Sequence, residues 1–309
     1  MALREAGLDP REQPVAGCGG ANVVATIPGD VDRWIVIGAH HDHLGRWGGR
    51  IHPGADDNAA AVAILVDVAG ALVRSRPSGR GVIVVSFDGE EPPHFLTDGM
   101  GSERFAREPI VPMDRIDFMV CMDLVGHAIG GPELPAVVQD TVFAIGSERS
   151  AGTAADVDRL ADVVHGVSVR RLDAELIPPL SDYEPFWRRR VPFLFLTSGR
   201  TRRYHTPDDV PAHLDWGKMS ATARWVEGFA REACARDGPS AFTDLRDDAS
   251  NLTTLAAMCE ALGPISQEAE GARRKALSLF ARCDRDGRLP EDLRFEMQML
   301  AGMLEARLA

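Results

Sequence analysis

Several segments of this chain are continuous runs of apolar, often β-branched residues, without the alternation of apolar and polar residues that marks a half-exposed strand. Val82–Phe87, Ile116–Met122 and Val191–Thr197 are the clearest examples. A strand that is apolar at every position is buried on both faces, which is typical of a mostly parallel sheet covered by helices. Helix-like segments such as Ala59–Val73 and Trp216–Arg236 separate the runs. The sequence therefore predicts an α/β fold with a mixed, mostly parallel central sheet and helices on both faces.

Shorter apolar runs extend the predicted sheet. They are Asn22–Pro28, Trp34–Ala39, Thr141–Ile145 and Val167–Arg171. Only Gly29-Asp30 and a few polar residues separate the first two runs, and such a Gly/Asp turn between two apolar runs is typical of a β-hairpin. We therefore expect these two strands to pair with each other.

The character of the chain changes at Asp237-Gly238-Pro239. No strand-like run follows this turn, and three amphipathic helical stretches fill the rest of the chain. In the last stretch, apolar residues form a one-sided stripe: Leu293, Met297, Leu300, Leu304 and Leu308. We expect a domain over residues 1–237 and a C-terminal helical extension over 238–309. The extension would pack on the core or on another subunit, so a homo-oligomer formed through these helices is an expectation.

Net charge and hydropathy exclude some partners. The chain has 34 Lys and Arg residues against 46 Asp and Glu residues, a net charge of −12, which argues against nucleic acid. No apolar run reaches the roughly 18–20 residues that span a bilayer, so no membrane partner is expected. Residues 1–14 carry charges of both signs and lack the apolar core of a secretory signal, which predicts a cytoplasmic protein.

Histidines and acids follow the predicted strands or begin the loops after them. They are His40, Asp57, Glu90, Glu91, Asp123 and His205. Taken alone, Asp57 is more typical of a helix cap, and Glu90, Glu91 and His205 are more typical of solvated surface or loop. Asp123 instead interrupts an apolar run, and a buried carboxylate there favours a metal even without the other residues. Together they lie where open α/β sheets collect ligands, and imidazole with carboxylate suits zinc. Five ligands are too many for one tetrahedral ion with an open position, so the set favours two ions with Glu90 as an uncommitted acid.

The segments that carry these residues, taken in order, resemble the di-zinc aminopeptidase family, whose relatives include glutamate carboxypeptidase and glutaminyl cyclase. The resemblance runs from about Asn22 to Arg236 and includes AHHDHLG, PGADDNAA, FDGEE, GSERFA, CMDLVG, SDYEPF and YHTPDD. It implies the zinc-exopeptidase fold and two bound divalent ions, most simply Zn²⁺.

The resemblance also implies roles for individual residues. His40 and Asp123 would hold one metal, Glu91 and His205 the other, and Asp57 would bridge them. A cis peptide bond is expected after the bridging residue, between Asp57 and Asn58.

The implied reaction is hydrolysis of the N-terminal peptide bond by a hydroxide that bridges two zinc ions. Glu90 would be the general base and acid, and Asp42 would support His40. Tyr204 would donate a hydrogen bond to the oxyanion.

Two departures from the family pattern bear on the substrate. Tyr183 stands where the family often has a histidine near the substrate. Arg200 and Arg202 lie just before Tyr204, either as a solvated basic turn or as a cluster that binds a substrate carboxylate.

The leading reading is a metal-dependent exopeptidase, most simply an aminopeptidase, that acts on a peptide or small amide. A carboxypeptidase, dipeptidase or amidohydrolase for acidic substrates is the alternative. A glutaminyl cyclase or an inactive binding module is less favoured, because the ligand set and Glu90 are complete.

Overall fold

An eight-stranded mixed sheet forms the centre of the computed structural model, which describes residues 2–238 and 240–308. The strands are β1 (Arg11–Val15), β2 (Gly20–Ile27), β3 (Val31–His40), β4 (Gly45–Trp47), β5 (Arg50–His52), β6 (Arg80–Phe87), β7 (Ile116–Met122), β8 (Thr141–Ile145), β9 (Ser168–Leu172) and β10 (Phe193–Thr197). Their order in the sheet is β1-β2-β6-β3-β7-β10-β8-β9, and β4 and β5 form a separate two-stranded ribbon. The predicted α/β class is confirmed.

Helices cover both faces of the sheet, and apolar clusters lie on both sides of it. The helices are α1 (Ala2–Glu5), α2 (Ala60–Arg74), α3 (Gly101–Arg107), α4 (Ala136–Gln139), α5 (Thr153–Leu160), α6 (Glu184–Arg188), α7 (Trp216–Ala235), α8 (Asp248–Leu262), α9 (Gln267–Phe280) and α10 (Glu291–Leu308). In the part of the chain that the structure describes, none of the helices has the length and apolar character needed to cross a bilayer.

The four central strands β6, β3, β7 and β10 are parallel, so their carboxyl ends meet at one edge of the sheet. Strands β6 and β7 are buried along their whole length, as their continuous apolar sequences predict. The carboxyl ends of the four strands are Phe87, His40, Met122 and Thr197. The residues that follow these strand ends are therefore held at one edge of a buried, hydrogen-bonded sheet.

The predicted hairpin between β2 and β3 is wrong. β6 lies between these two strands, antiparallel to β2 and parallel to β3. The turn at Gly29-Asp30 is tied to the chain before β6, because the Asp30 N–H donates to the Gly79 carbonyl (2.6 Å) and the Gly79 N–H donates to the Asp30 carboxylate (2.8 Å). A Cβ at residue 29 would lie 2.3 Å from the Arg80 backbone, so this close approach requires glycine.

Helices α8, α9 and α10 follow the sheet and pack on one another. Met297 and Leu300, from the apolar stripe predicted for the last helix, are buried among residues of α8 and α9. The Thr254 hydroxyl of α8 donates to the Arg171 carbonyl of β9 (2.7 Å), which attaches these helices to the edge of the sheet. The boundary after residue 237 stays a prediction, and Pro239 of that turn lies outside the described residues.

A buried lysine joins the loops at the carboxyl edge. Lys218, in the first turn of α7, is 2% exposed, and burial lowers the pKa of its ammonium group to about 7. The group donates to the carbonyls of His127 (2.9 Å), Gln139 (2.9 Å) and Thr141 (2.8 Å) and to the Ser198 hydroxyl (2.9 Å). One side chain thus connects the loops that follow β7 and β10 with the start of β8.

We expect Lys218→Met to lower the free energy of unfolding by about 2–4 kcal/mol, because it leaves buried carbonyls without a donor. The matched control is Lys275→Met, at the other lysine of the chain, whose side chain is 50% exposed and pairs with Glu296 on the surface. That change should stay within about 0.5 kcal/mol of the unsubstituted chain. Urea unfolding measures both variants, and equal unfolding midpoints for them would contradict the proposed role of Lys218.

Candidate active site

The five residues expected to bind metal come together at the carboxyl edge of the sheet. His40 is the last residue of β3, and Asp123 directly follows β7. Glu91 lies four residues after β6, and His205 lies in the loop after β10. Asp57 lies in an irregular turn that leads into α2. Four of the five side chains are buried, and His205 is 30% exposed.

The five side chains form two groups that share Asp57. The first group is His40, Asp57 and Asp123, and the second is Asp57, Glu91 and His205. Within each group, one potential ligand atom per residue lies within 4.8 Å of the others. This grouping is the one that the resemblance implies, although the roles of these residues as ligands stay predictions.

Asp57 presents one carboxylate oxygen to each group. Its Oδ1 lies 3.4 Å from His40 Nε2, and its Oδ2 lies 3.1 Å from His205 Nε2. Burial alone would raise the pKa of Asp57, but the adjacent imidazole groups of His205 and His40 lower this pKa to about 2. The peptide bond between Asp57 and Asn58 is cis, as expected. Such a carboxylate can bridge two cations.

The donor atoms fit divalent metal ions. His40 Nε2, Asp57 Oδ2 and Asp123 Oδ1 are buried, and none has a hydrogen-bond partner among the described residues. Buried carboxylates are costly unless a cation or donor compensates them. Imidazole nitrogen and carboxylate oxygen without thiolate are ligands that zinc accepts. A cation in each group would supply the missing partners.

Asp42 holds the backbone of the two glutamates in place. Its carboxylate accepts hydrogen bonds from the N–H groups of Glu90 (3.1 Å) and Glu91 (2.9 Å). Its Oδ1 also lies 3.5 Å from His40 Nδ1. Asp42 therefore lies beside His40, as the resemblance implies. It also binds the backbone of the two glutamates, a contact that the sequence did not indicate.

Glu90 lies beside the first group, with Oε2 3.8 Å from His40 Nε2. Burial, together with Asp123 and other nearby carboxylates, raises the pKa of Glu90 well above its usual value, although His40 opposes this shift. Asp182 is buried nearby, and burial raises its pKa to about 7. Asp182 lies in the SDYEPF segment, but its sequence context gave no reason to single it out.

Tyr204 lies on the wall of the cavity beside the site, together with Asp57, Glu90 and Asp123. Its ring stacks on the His205 ring, with 3.8 Å between centroids. Burial and the surrounding carboxylates raise the pKa of the Tyr204 hydroxyl, so this group stays protonated at neutral pH and can donate a hydrogen bond.

Two further acids, Asp209 and Asp56, hold the backbone around Asp57 in place. The sequence did not indicate that either has a functional role. The Asp209 carboxylate accepts hydrogen bonds from the N–H groups of Asp56 (2.8 Å) and Asp57 (3.1 Å). The Asp56 carboxylate accepts one from the Gly126 N–H (2.8 Å) and lies 2.7 Å from His127 Nδ1. Each of these two acids is directly next to another acid in the sequence. These acidic pairs were the only sequence feature that could have indicated a role for them.

Tyr183, which the resemblance places near the substrate, does not line the cavity beside the site. Its side chain has no exposed surface and stacks on Phe193 and Phe195, with centroid distances of 4.8 and 4.7 Å. Its hydroxyl accepts a hydrogen bond from the Leu180 N–H (3.2 Å). Tyr183 directly precedes α6 and is part of the apolar cluster on one face of the sheet, behind cavity-lining residues such as Phe195.

The arginines before Tyr204 do not form a cluster at the site. Arg200 lines the cavity, but its Nη2 lies 3.2 Å from Glu305 Oε1 of α10. Arg202 is exposed and does not lie on the cavity wall. The interpretation of this segment as a solvated basic turn therefore fits Arg202, and Arg200 is engaged in an ion pair.

Comparison with known proteins identifies the family. Residues 22–230 match the family described as Peptidase family M28. A probable leucine aminopeptidase of Trichophyton verrucosum (strain HKI 0517) is 25% identical over 226 residues, which cover 68% of this chain and 55% of that protein. Glutaminyl-peptide cyclotransferase of Bos taurus is 26% identical over 252 residues, 69% of this chain and 66% of that protein.

The fold is shared with solved structures. The crystal structure of the Legionella pneumophila LapA aminopeptidase matches with a TM-score of 0.60 at 20% identity, over 76% of this chain and 62% of that chain. This chain thus spans little more than half the length of the leucine aminopeptidase and under two thirds of LapA. The resemblance seen in the sequence motifs is confirmed, and the chain belongs to peptidase family M28.

Proposed function

We propose that this protein is a zinc-dependent exopeptidase that hydrolyses the N-terminal peptide bond of peptides or small amides with two bound ions. The observation that carries the proposal is the shared Asp57, which presents one oxygen to each of two groups of ligand atoms. The leucine aminopeptidase relative and the LapA fold support the same reaction.

One ion would be held by His40, Asp123 and Asp57, and the other by Glu91, His205 and Asp57. When bound, such ions lower the pKa of water and polarise the scissile carbonyl. Zinc suits a set of imidazole and carboxylate ligands that leaves room for water and substrate.

The residues around the two groups supply the remaining chemistry. The Glu90 carboxylate accepts a proton from the attacking water and then donates it to the departing amine. The Tyr204 hydroxyl donates a hydrogen bond to the carbonyl oxygen as negative charge develops there. The Asp42 carboxylate holds the backbone of Glu90 in place by accepting a hydrogen bond from the Glu90 N–H. It accepts another from the Glu91 N–H, so both glutamates are held by the same side chain.

The charge of the site favours a substrate with a free amino group. Glu90, which is not among the candidate ligands, lies on the cavity wall beside Asp57 and Asp123, and a substrate ammonium group is attracted to such a carboxylate. Arg200 is paired with Glu305, and Arg202 lies away from the wall, so neither arginine is placed as an open partner for a substrate carboxylate. This arrangement supports an aminopeptidase over a carboxypeptidase for acidic substrates.

A glutaminyl cyclase is the second candidate, because the bovine relative is a glutaminyl-peptide cyclotransferase. The two complete groups of ligand atoms favour the peptidase. A cytoplasmic location and an oligomer formed through the C-terminal helices stay predictions, as does the absence of nucleic-acid and membrane partners.

With added zinc, we expect a dipeptide with a free amino terminus to be hydrolysed with a kcat/KM at least about 100-fold above that of its N-acetylated form. The reason is that acetylation removes the ammonium charge that the carboxylates attract. Amino-acid release measured by chromatography checks this. Equal cleavage of the two forms would contradict an aminopeptidase, and conversion of an N-terminal glutaminyl peptide to its cyclised product with release of ammonia would favour the cyclase.

We expect Glu90→Gln to retain bound zinc but to lose about 10²- to 10⁴-fold in kcat, because the amide cannot accept the proton from water. The matched control is Glu108→Gln, whose side chain is 65% exposed and contacts Arg104 on the surface; it should leave kcat unchanged. Metal content by mass spectrometry accompanies the kinetics. Near-normal turnover by the Glu90 variant would remove this residue from the role of base.

A further inference from the structure

The cavity beside the site extends from the ligand groups to the C-terminal helices. It has a volume of about 350 Å³, within the size range of small-molecule sites. Asp57, Glu90, Asp123 and Tyr204 form its polar end. Most of the remaining wall is apolar and includes Ile129, Phe143, Ile177, Leu180 and Met258. The polar end fits the reacting amide, and the rest fits an apolar group attached to it.

Helix α10 forms part of the cavity wall. Its buried residues pack on the other C-terminal helices. The α10 residues that line the cavity are Gln298, Ala301, Gly302, Leu304, Glu305 and Leu308, and of these Ala301 and Leu304 also pack on the C-terminal helices. These positions recur at the three- and four-residue spacing of one helix face. Helix α8 adds Leu255 and Met258 to the same wall.

This wall comes from outside the part of the chain that defines the family. The family match ends at residue 230, whereas α8 begins at Asp248. The polar end of the cavity therefore belongs to the matched region, while the far end is formed by residues 254–308. One part of the cavity wall thus comes from a segment that the family match does not include.

The wall is fixed to the loop that carries the candidate catalytic tyrosine. Glu305 of α10 pairs with Arg200, whose guanidinium lies 5.9 Å from the centre of the Tyr204 ring. Leu304 and Leu308 of α10 also pack with Ile129 and Phe143 of the peptidase region. The distance between the polar end and the helical wall is therefore held by an ion pair and by apolar packing.

We propose that helices α8 and α10, which lie outside the family match, limit the length of the apolar substrate side chain that this cavity accepts. The proposal rests on the proposed aminopeptidase function. It assigns the C-terminal helices a part in specificity, in addition to any structural one.

Gly302 offers a way to test the wall without disturbing the fold. Gly302 lines the cavity, and a Cβ built at this residue meets nothing within 4 Å, so a larger side chain can be introduced there without a clash at its Cβ. Gly271 of α9 is the matched control, because a Cβ there also meets nothing within 4 Å and the residue does not line the cavity. Both glycines lie inside helices, where a side chain improves helix propensity.

The experiment measures kcat/KM of the zinc-loaded protein on 4-nitroanilides of alanine, norvaline, norleucine and 2-aminooctanoic acid. For the unsubstituted chain we expect a rise of about fourfold for each added CH₂, until the side chain reaches the helical wall. Gly302→Phe should lower kcat/KM at least about tenfold for norleucine and 2-aminooctanoic acid and leave alanine within about threefold. Gly302→Leu should give a smaller loss, and Gly271→Phe should match the unsubstituted chain.

The outcomes separate this inference from the function on which it rests. Hydrolysis that does not depend on side-chain length, or equal losses by Gly302→Phe on all four substrates, would overturn the specificity proposal and leave the peptidase standing. A Gly302→Phe variant that behaves like Gly271→Phe would also overturn it. Failure of the unsubstituted chain to hydrolyse any member of the series would overturn both. Thermal unfolding of each variant verifies that the fold is kept, and Gly302→Leu provides the same test if the larger residue unfolds the chain.

Discussion

Mutual repulsion among buried carboxylates is the constraint on which the rest of the structure depends. Asp57, Glu90, Glu91 and Asp123 lie close together and are all buried, and at least two of their oxygens lack a partner among the described residues. Like charges at such distances in a poorly solvated site are unfavourable unless a cation or a proton compensates them. The two histidines are too few to do this. The arrangement of these carboxylates is therefore suited to binding cations.

A site of this kind needs rigid support, because carboxylates that repel one another move apart when their backbone allows it. The parallel strands β6, β3, β7 and β10 supply the rigid edge. Asp42 fixes the turn after β6, and Asp209 fixes the turn before α2. Lys218 then ties the loops beyond β7 and β10 to each other. The backbone at the site is thus held by charged side chains that do not belong to the five candidate ligands.

The sequence predicted those parts that local chemistry determines. The bounds of β7 and β8 agree with the apolar runs. The candidate ligand residues were singled out because they lie at strand ends, in the loops after strands or before the buried helix α2. The pairing of β2 with β6 was missed, because the partner lies more than 50 residues away and a nearby turn suggested a simpler solution. The burial of Tyr183 and the cavity-facing side of α10 were missed for a related reason. Both features depend on the neighbour against which a helix packs. The sequence of one helix or strand alone does not determine that neighbour.

The central claim is that two cations bind side by side and share Asp57. Its most direct test is anomalous diffraction at the zinc edge from crystals of the unsubstituted chain grown with zinc. We expect two anomalous peaks, one among His40, Asp57 and Asp123 and the other among Asp57, Glu91 and His205. A single peak, or two peaks of which one lies away from Asp57, would contradict it.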